Sequence, residues 1–160
     1  LGTLIGVLDG EMEMPRGQST FHITCDDALA SQYSAVSKAV ADVQKEVGLF
    51  VPVTLFAITK FEDPKGPVEE IPDDTPAYND RVHRYMTKGQ LVRLIQAGHR
   101  VENHTVNHPD LTKLSPGARN AEVEIGEQRI EALWRVAGVP RRYRTFAYPY
   151  GRYRGQTPDF

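Results

Sequence analysis

Thr20-Phe21-His22-Ile23-Thr24-Cys25 is a run of β-branched and aromatic residues that stops on two adjacent carboxylates, Asp26 and Asp27. That composition predicts a strand ending abruptly at the acid pair. Upstream, Pro15-Arg16-Gly17 reads as a turn, so residues 4–8 form a short earlier strand. Downstream, Val36, Val40, Val43 and Val47 recur at helical spacing, and Gly48 supplies the stop. Residues 51–58 read as a second, largely apolar strand. Thr87 is placed to cap a helix through Ala97, with Gly98 after it, and 100–102 form a brief third strand. Ser115-Pro116 opens a long helix to about Ala137, closed by Gly138 and Pro140. Residues 145–148 read as a fourth strand, followed by Pro149-Tyr150-Gly151. Strands alternating with helices predict an α/β fold with parallel strands. In such folds sites gather just past strand ends, where the Asp pair, the segment around His104 and Pro149-Tyr150-Gly151 all fall.

The 160 residues suit one domain, and 40% hydrophobic residues are enough to bury a core. A net charge of −2, with both signs interspersed, gives no electrostatic case for nucleic acid or an anionic membrane. No apolar run reaches the roughly 20 residues of a membrane helix. Cys25 is the sole cysteine, which excludes an intrachain disulfide. Residues 61–80 are rich in Pro, Asp and Glu and read as a long, exposed, poorly packed loop.

The chemistry is concentrated in two places. In His104-Thr105-Val106-Asn107-His108, the spacing sets both imidazoles on one face of a single helical turn, within reach of one metal. A structural histidine pair would look the same. The zincin pattern fails, because no Glu stands between the two. Asp26 and Asp27 repel each other at a strand end, and a cation would relieve one while leaving the other as a nearby base. A helix cap followed by a solvated acid is the plain alternative. One Asp with two His makes a three-ligand set with open positions, the form of catalytic zinc sites. Cys25 points away from its neighbours in the strand and reads as core, and His83 and His99 read as surface or packing residues. Tyr148, Tyr150 and Tyr153 offer either a sugar-stacking wall or part of the core.

Three segments together resemble the polysaccharide deacetylase family (carbohydrate esterase family 4, the NodB-homology domain). Thr24-Cys25-Asp26-Asp27-Ala28 is similar to its Thr-Phe-Asp-Asp-Gly motif. The segment from Gly98 through Asn103-His104-Thr105-Val106-Asn107-His108 to Leu111 is similar to the second motif, and Phe146-Ala147-Tyr148-Pro149-Tyr150-Gly151 to the third. Pro52-Val53-Thr54-Leu55-Phe56 matches the second strand, so the resemblance runs from about 20 to 151. It implies a distorted or incomplete (β/α) barrel, with residues 1–160 as a single domain cut short before the last motifs. It also implies a hydrolase that removes N-acetyl or O-acetyl groups from a polysaccharide, secreted or held at the cell envelope. Asp27, His104 and His108 become ligands of a divalent metal, with zinc the first expectation. Asp26 becomes the general base, the Tyr150 N–H an oxyanion donor, and Tyr148, Pro149 and Tyr150 substrate contacts.

The pattern also breaks in places. Ala28 replaces a Gly, which narrows the conformations open to the backbone after the Asp pair. Ala147 stands where many members have an Arg that orients the base, so Arg144 or Arg152 would have to substitute unless both are surface charges. The Leu-x-His that supplies the general acid is expected beyond Phe160. His22 lies about 13 Å from Asp26 along a strand, too far to replace it. Two rival readings stand beside the main one: an amidohydrolase acting on a small non-sugar amide, and a metal- or carbohydrate-binding homologue without turnover.

Overall fold

The computed structural model describes residues 22–60 and 85–153. The expected strand at 4–8, the turn at 15–17, the loop at 61–80 and His83 lie outside them. Three strands, β1 (Ile23–Asp27), β2 (Val53–Ala57) and β3 (Arg100–Asn103), form a parallel sheet in the order β1-β2-β3. Three helices accompany them: α1 (Ala30–Val47), α2 (Lys88–Gln96) and α3 (Pro116–Ala137). Parallel neighbours need crossover connections, and α1 and α2 lie in the two that join these strands. The sheet does not close among the described residues.

Helix ends follow local chemistry. The Thr87 hydroxyl accepts the Gln90 N–H at 3.2 Å, and Gln90 Oε1 accepts the Thr87 N–H at 2.9 Å, a reciprocal cap. Ser115 caps α3 ahead of Pro116, and Gly138 closes it at φ 70°. β1 runs through both aspartates rather than stopping before them, and α1 starts at Ala30, six residues before the first valine of the pattern. Of that pattern, Val36 and Val40 are buried, whereas Val43 and Val47 are exposed. An 18-residue helix is about 27 Å long and a five-residue strand about 17 Å, so the last turns of α1 overhang the sheet.

Leu55, Ala57 and Val101 from the sheet interlock with Leu91, Ile95, Ile130, Leu133 and Trp134 from α2 and α3, and Cys25 packs against this core. No helix among the described residues is long and apolar enough to cross a membrane. His99 is buried, accepts the Val53 N–H at Nδ1 (3.2 Å) and lies 5.3 Å from the Phe50 ring. Burial holds His99 below the ordinary histidine range; burial and then the Arg100 charge do the same to His22. Below about pH 6.5 the unfolded chain takes up these protons first, so stability falls until the folded values are passed. Urea unfolding should therefore give a lower midpoint at pH 5.5 than at 7.5. His99→Asn should flatten part of that slope.

The fourth strand is absent. Among residues 145–148, one isolated parallel bridge joins Phe146 to Asn103. The Thr145 N–H, which a ladder would direct to a β3 carbonyl, donates instead to the Glu102 carboxylate at 3.2 Å.

Candidate metal centre

The C-terminal ends of the three parallel strands lie along one end of the sheet. β1 delivers Asp27, and the loop leaving β3 delivers His104 and His108. The ligand-capable atoms of these three lie within 4.8 Å of one another. Asp27 Oδ1 is 3.6 Å from His104 Nε2 and 3.5 Å from His108 Nε2.

The histidine pair does not ride on a helical turn. Residues 104–108 form a loop with Thr105 at φ 70° and His108 at φ 59°. Within the described residues, the non-glycine residues at positive φ are Asp27 (73°), Ala28 (54°), Thr105, His108 and Tyr150 (60°). All five belong to this site or adjoin it. Each costs of order 1 kcal/mol or more, and such backbone persists only where surrounding bonds over-determine it.

Those bonds are present. Gln32 accepts the Leu29 N–H at Oε1 and donates Nε2 to the Asp26 carbonyl, both at 2.9 Å, which clamps the Asp26–Ala28 turn to the start of α1. The Met86 N–H holds the Ala28 carbonyl from the other side. Glu122 of α3 accepts the N–H groups of Val106 (3.0 Å) and Asn107 (2.9 Å), and the Asn107 amide at 2.7 Å. Asn103 accepts the Thr105 N–H at 2.9 Å and donates to the Val123 carbonyl at 2.9 Å. Nothing in the local sequence marks Gln32 or Glu122 for these tasks. The one available signal is Gly126, a glycine inside a helix, which often marks close packing. A Cβ there would stand 2.4 Å from Asn103 Oδ1. Gly126→Ala should therefore destabilise the protein by about 1–3 kcal/mol in urea unfolding, as overpacked cores do. An unchanged midpoint would mean that Asn103 is not pinned.

The donor set fits a divalent cation. His104 Nδ1 lies 2.8 Å from the Ala147 carbonyl, which can only accept, so Nδ1 carries a proton and, in the neutral ring, Nε2 presents the lone pair. Facing it is Asp27 Oδ1, a buried oxygen with no hydrogen-bond partner. Separations of 3.5 and 3.6 Å are too long for hydrogen bonds. Ligand atoms about 2.1 Å from a tetrahedral zinc lie about 3.4 Å apart, close to what is found. Burial and the neighbouring His104 hold His108 below the ordinary histidine range despite the aspartates, which keeps it a neutral donor near pH 7.

Asp26 is exposed at the end of β1 and outside the three-atom cluster. The Tyr150 ring packs against His108 at a tilt of 60°, with centroids 4.7 Å apart. Tyr148, Tyr150 and Tyr153 are all exposed, so none belongs to the core. Tyr148 and Tyr153, with ring centroids 5.5 Å apart, border an open cleft of about 280 Å³ together with Leu111, Thr112 and Arg119. Pro149 is buried. Arg144 pairs with Glu127 (3.2 Å) and Arg152 with Asp110 (2.8 Å), so neither is spent on Asp26. The Thr112 hydroxyl and Arg152 hold the Asp110 carboxyl down at about 2. His22 bonds Thr54 (2.8 Å) and His99 bonds Val53, both at strand starts and away from the cluster.

The family model for polysaccharide deacetylases matches residues 13–159. Among solved structures, the chain is similar to the Streptococcus pyogenes deacetylase PplD in complex with acetate, at 21% identity and TM-score 0.63, over 94% of this chain and 54% of that one. It is similar to a polysaccharide deacetylase from Bacillus cereus at 16% and 0.59, over 84% and 34%. It is also similar to the peptidoglycan deacetylase PdaC from Bacillus subtilis at 22% and 0.52, over 89% and 55%. The chain thus spans between a third and somewhat over half of these structures. No curated protein matches the sequence. At these identities the likeness is one of fold, and it identifies the open three-stranded sheet as part of a distorted (β/α) barrel.

Proposed function

Because this chain belongs to the polysaccharide deacetylase family, we propose that it hydrolyses N-acetyl groups on a polymeric sugar, using a divalent metal held by Asp27, His104 and His108. The observation that carries this reading is the partnerless Asp27 Oδ1 set against two imidazole nitrogens, the nearer at 3.5 Å. Zinc suits a site of one carboxylate and two imidazoles.

A cation there would supply Lewis acidity toward the acetyl carbonyl and ease deprotonation of water. The chain's own residues do the rest. Asp26 takes the proton of the attacking water. The Tyr150 N–H, turned by the positive φ of its residue, donates toward the oxyanion of the tetrahedral intermediate. Tyr148 and Tyr150 offer exposed ring faces to sugar, and Pro149 fixes the turn between them. Collapse of the intermediate, with a proton delivered to the leaving nitrogen, releases acetate and a free amine. A polymeric substrate of this kind places the protein outside the cell or in its envelope.

The full-length protein should release acetate from N-acetylated oligosaccharides, lose that activity to a chelator and regain it with zinc. The panel should include O-acetylated xylan and small acetamides. Release from small amides alone would favour an amidohydrolase. Zinc or sugar binding with no release from any substrate would leave a binding homologue.

A further inference from the structure

The segment that carries Ala147 and Tyr150 is paired to β3 by the single bridge at Phe146, and a group of buried charges holds the residues before it. Glu102 has no exposed surface, and the Arg141 side chain is 2% exposed. Glu102 Oε2 accepts from Arg141 Nη2 at 2.5 Å and from the Thr145 N–H at 3.2 Å. Glu102 Oε1 accepts from Arg100, whose Nη2 also donates to the Tyr143 carbonyl at 2.9 Å. The Arg100 guanidinium lies 3.7 Å from the centroid of the Tyr143 ring. Arg141 reaches α3 through Glu127 (2.5 Å) and Glu131 (3.1 Å). Residues 141, 143 and 145 are thus gripped at every second position, the repeat of an extended segment.

Two residues past Thr145 stands Ala147. Its N–H donates to the Asn103 carbonyl at 3.2 Å, and its own carbonyl accepts the His104 Nδ1 proton at 2.8 Å. We propose that Glu102 is a positioning residue for the metal centre. By holding Thr145 it sets the Ala147 carbonyl against His104 Nδ1, and so fixes the ring orientation, and in the neutral ring the tautomer, that aims Nε2 at Asp27.

The chemistry requires a carboxylate. Donors from Arg100, Arg141 and Thr145 converge on the two oxygens of Glu102, and a carboxylate offers acceptor sites on both. An amide would turn its NH₂ toward one of two guanidiniums. A desolvated anion between two cations is also hard to displace: Arg141 would keep Glu127 and Glu131, but a freed Arg100 would remain buried without a counter-charge. The proposal rests on the metal reading only for its affinity arm; the tautomer of His104 is a separate observable.

The test reads two quantities on the full-length protein: zinc affinity by calorimetry, and the ¹⁵N shifts of the His104 ring without metal. The variants are Glu102→Gln, Glu102→Asp and, as a destabilised control, Ile130→Val in the core of α3. Zinc affinity should fall about 10–100-fold in Glu102→Gln, the range for loss of an outer partner of a ligand, and by less in Glu102→Asp. The His104 ring should pass from one tautomer to a mixture in both. Ile130→Val should move neither readout. Wild-type affinity and a single tautomer in Glu102→Gln would overturn the proposal. So would equal shifts in Ile130→Val, or failure of both Glu102 variants to fold, which would assign Glu102 to the fold alone. If the wild type binds no zinc, the metal reading fails, and the tautomer arm still decides the role of Glu102.

Discussion

Asp27→Ala is expected to abolish metal binding and acetate release together. Asp27 Oδ1 is the atom shared by both short separations in the cluster, 3.6 Å to His104 and 3.5 Å to His108. Without it two imidazoles remain, and two neutral ligands hold zinc far more weakly than the three-ligand set of a catalytic site. Loss of an outer partner alone costs about 10–100-fold, so loss of a ligand should exceed the upper end of that range. Stability should change little, for two opposed reasons. The substitution removes a buried oxygen that has no hydrogen-bond partner. It also puts an alanine at φ 73°, where Asp is better tolerated. Asp27→Asn separates the two effects, since it keeps the tolerance for that backbone and gives up the charge. Calorimetry with zinc, acetate release and thermal unfolding on both variants decide the matter. Undiminished zinc binding in Asp27→Ala would remove the metal centre from the reading.

The elements set by short-range chemistry are legible in the sequence. Thr87 with Gln90, and Ser115-Pro116 with Gly138, mark helix ends to within a residue, because each cap bonds to backbone three or four positions away. What escapes is whatever is settled at long range. Residues 145–148 have strand-like composition, yet the Thr145 N–H finds a carboxylate 43 positions earlier and the ladder does not form. The spacing of His104 and His108 suggests a helical turn. The two rings do meet, with centroids 4.7 Å apart, but through a loop whose positive φ angles are held by Asn103, Glu122 and Thr59. Ala28 shows the same division. Its sequence warns of a conformation that only glycine takes easily, but gives no hint that Gln32 and Met86 would enforce it on an alanine. The tyrosines illustrate the reverse error: aromatic residues after a strand suggest core, and here all three are exposed, with Tyr150 packed on His108.

Asp26→Asn should leave the metal in place while acetate release falls by a factor of about 10²–10⁴, the usual worth of a general base. Adjacent aspartates are equivalents to local sequence, and the backbone is what separates them. Successive residues of β1 point to opposite faces, and Asp27 then turns into positive φ, which delivers its carboxylate to the two histidines. Asp26 stays exposed and outside the cluster, though near enough for its charge to favour the protonated form of His108. A group so placed can take a proton from water beside the metal without competing for it. Its backbone carbonyl, not its side chain, anchors Gln32, so the substitution leaves the turn intact. Asn keeps the shape and loses the basic lone pair, which isolates proton transfer from packing. Zinc content and acetate release must be read on the same preparation. Should Asp26→Asn shed zinc while Asp27→Asn retains it, the two roles are exchanged. Should neither substitution alter acetate release, the pair serves only to cap the turn, and the catalytic reading of this strand end goes with it.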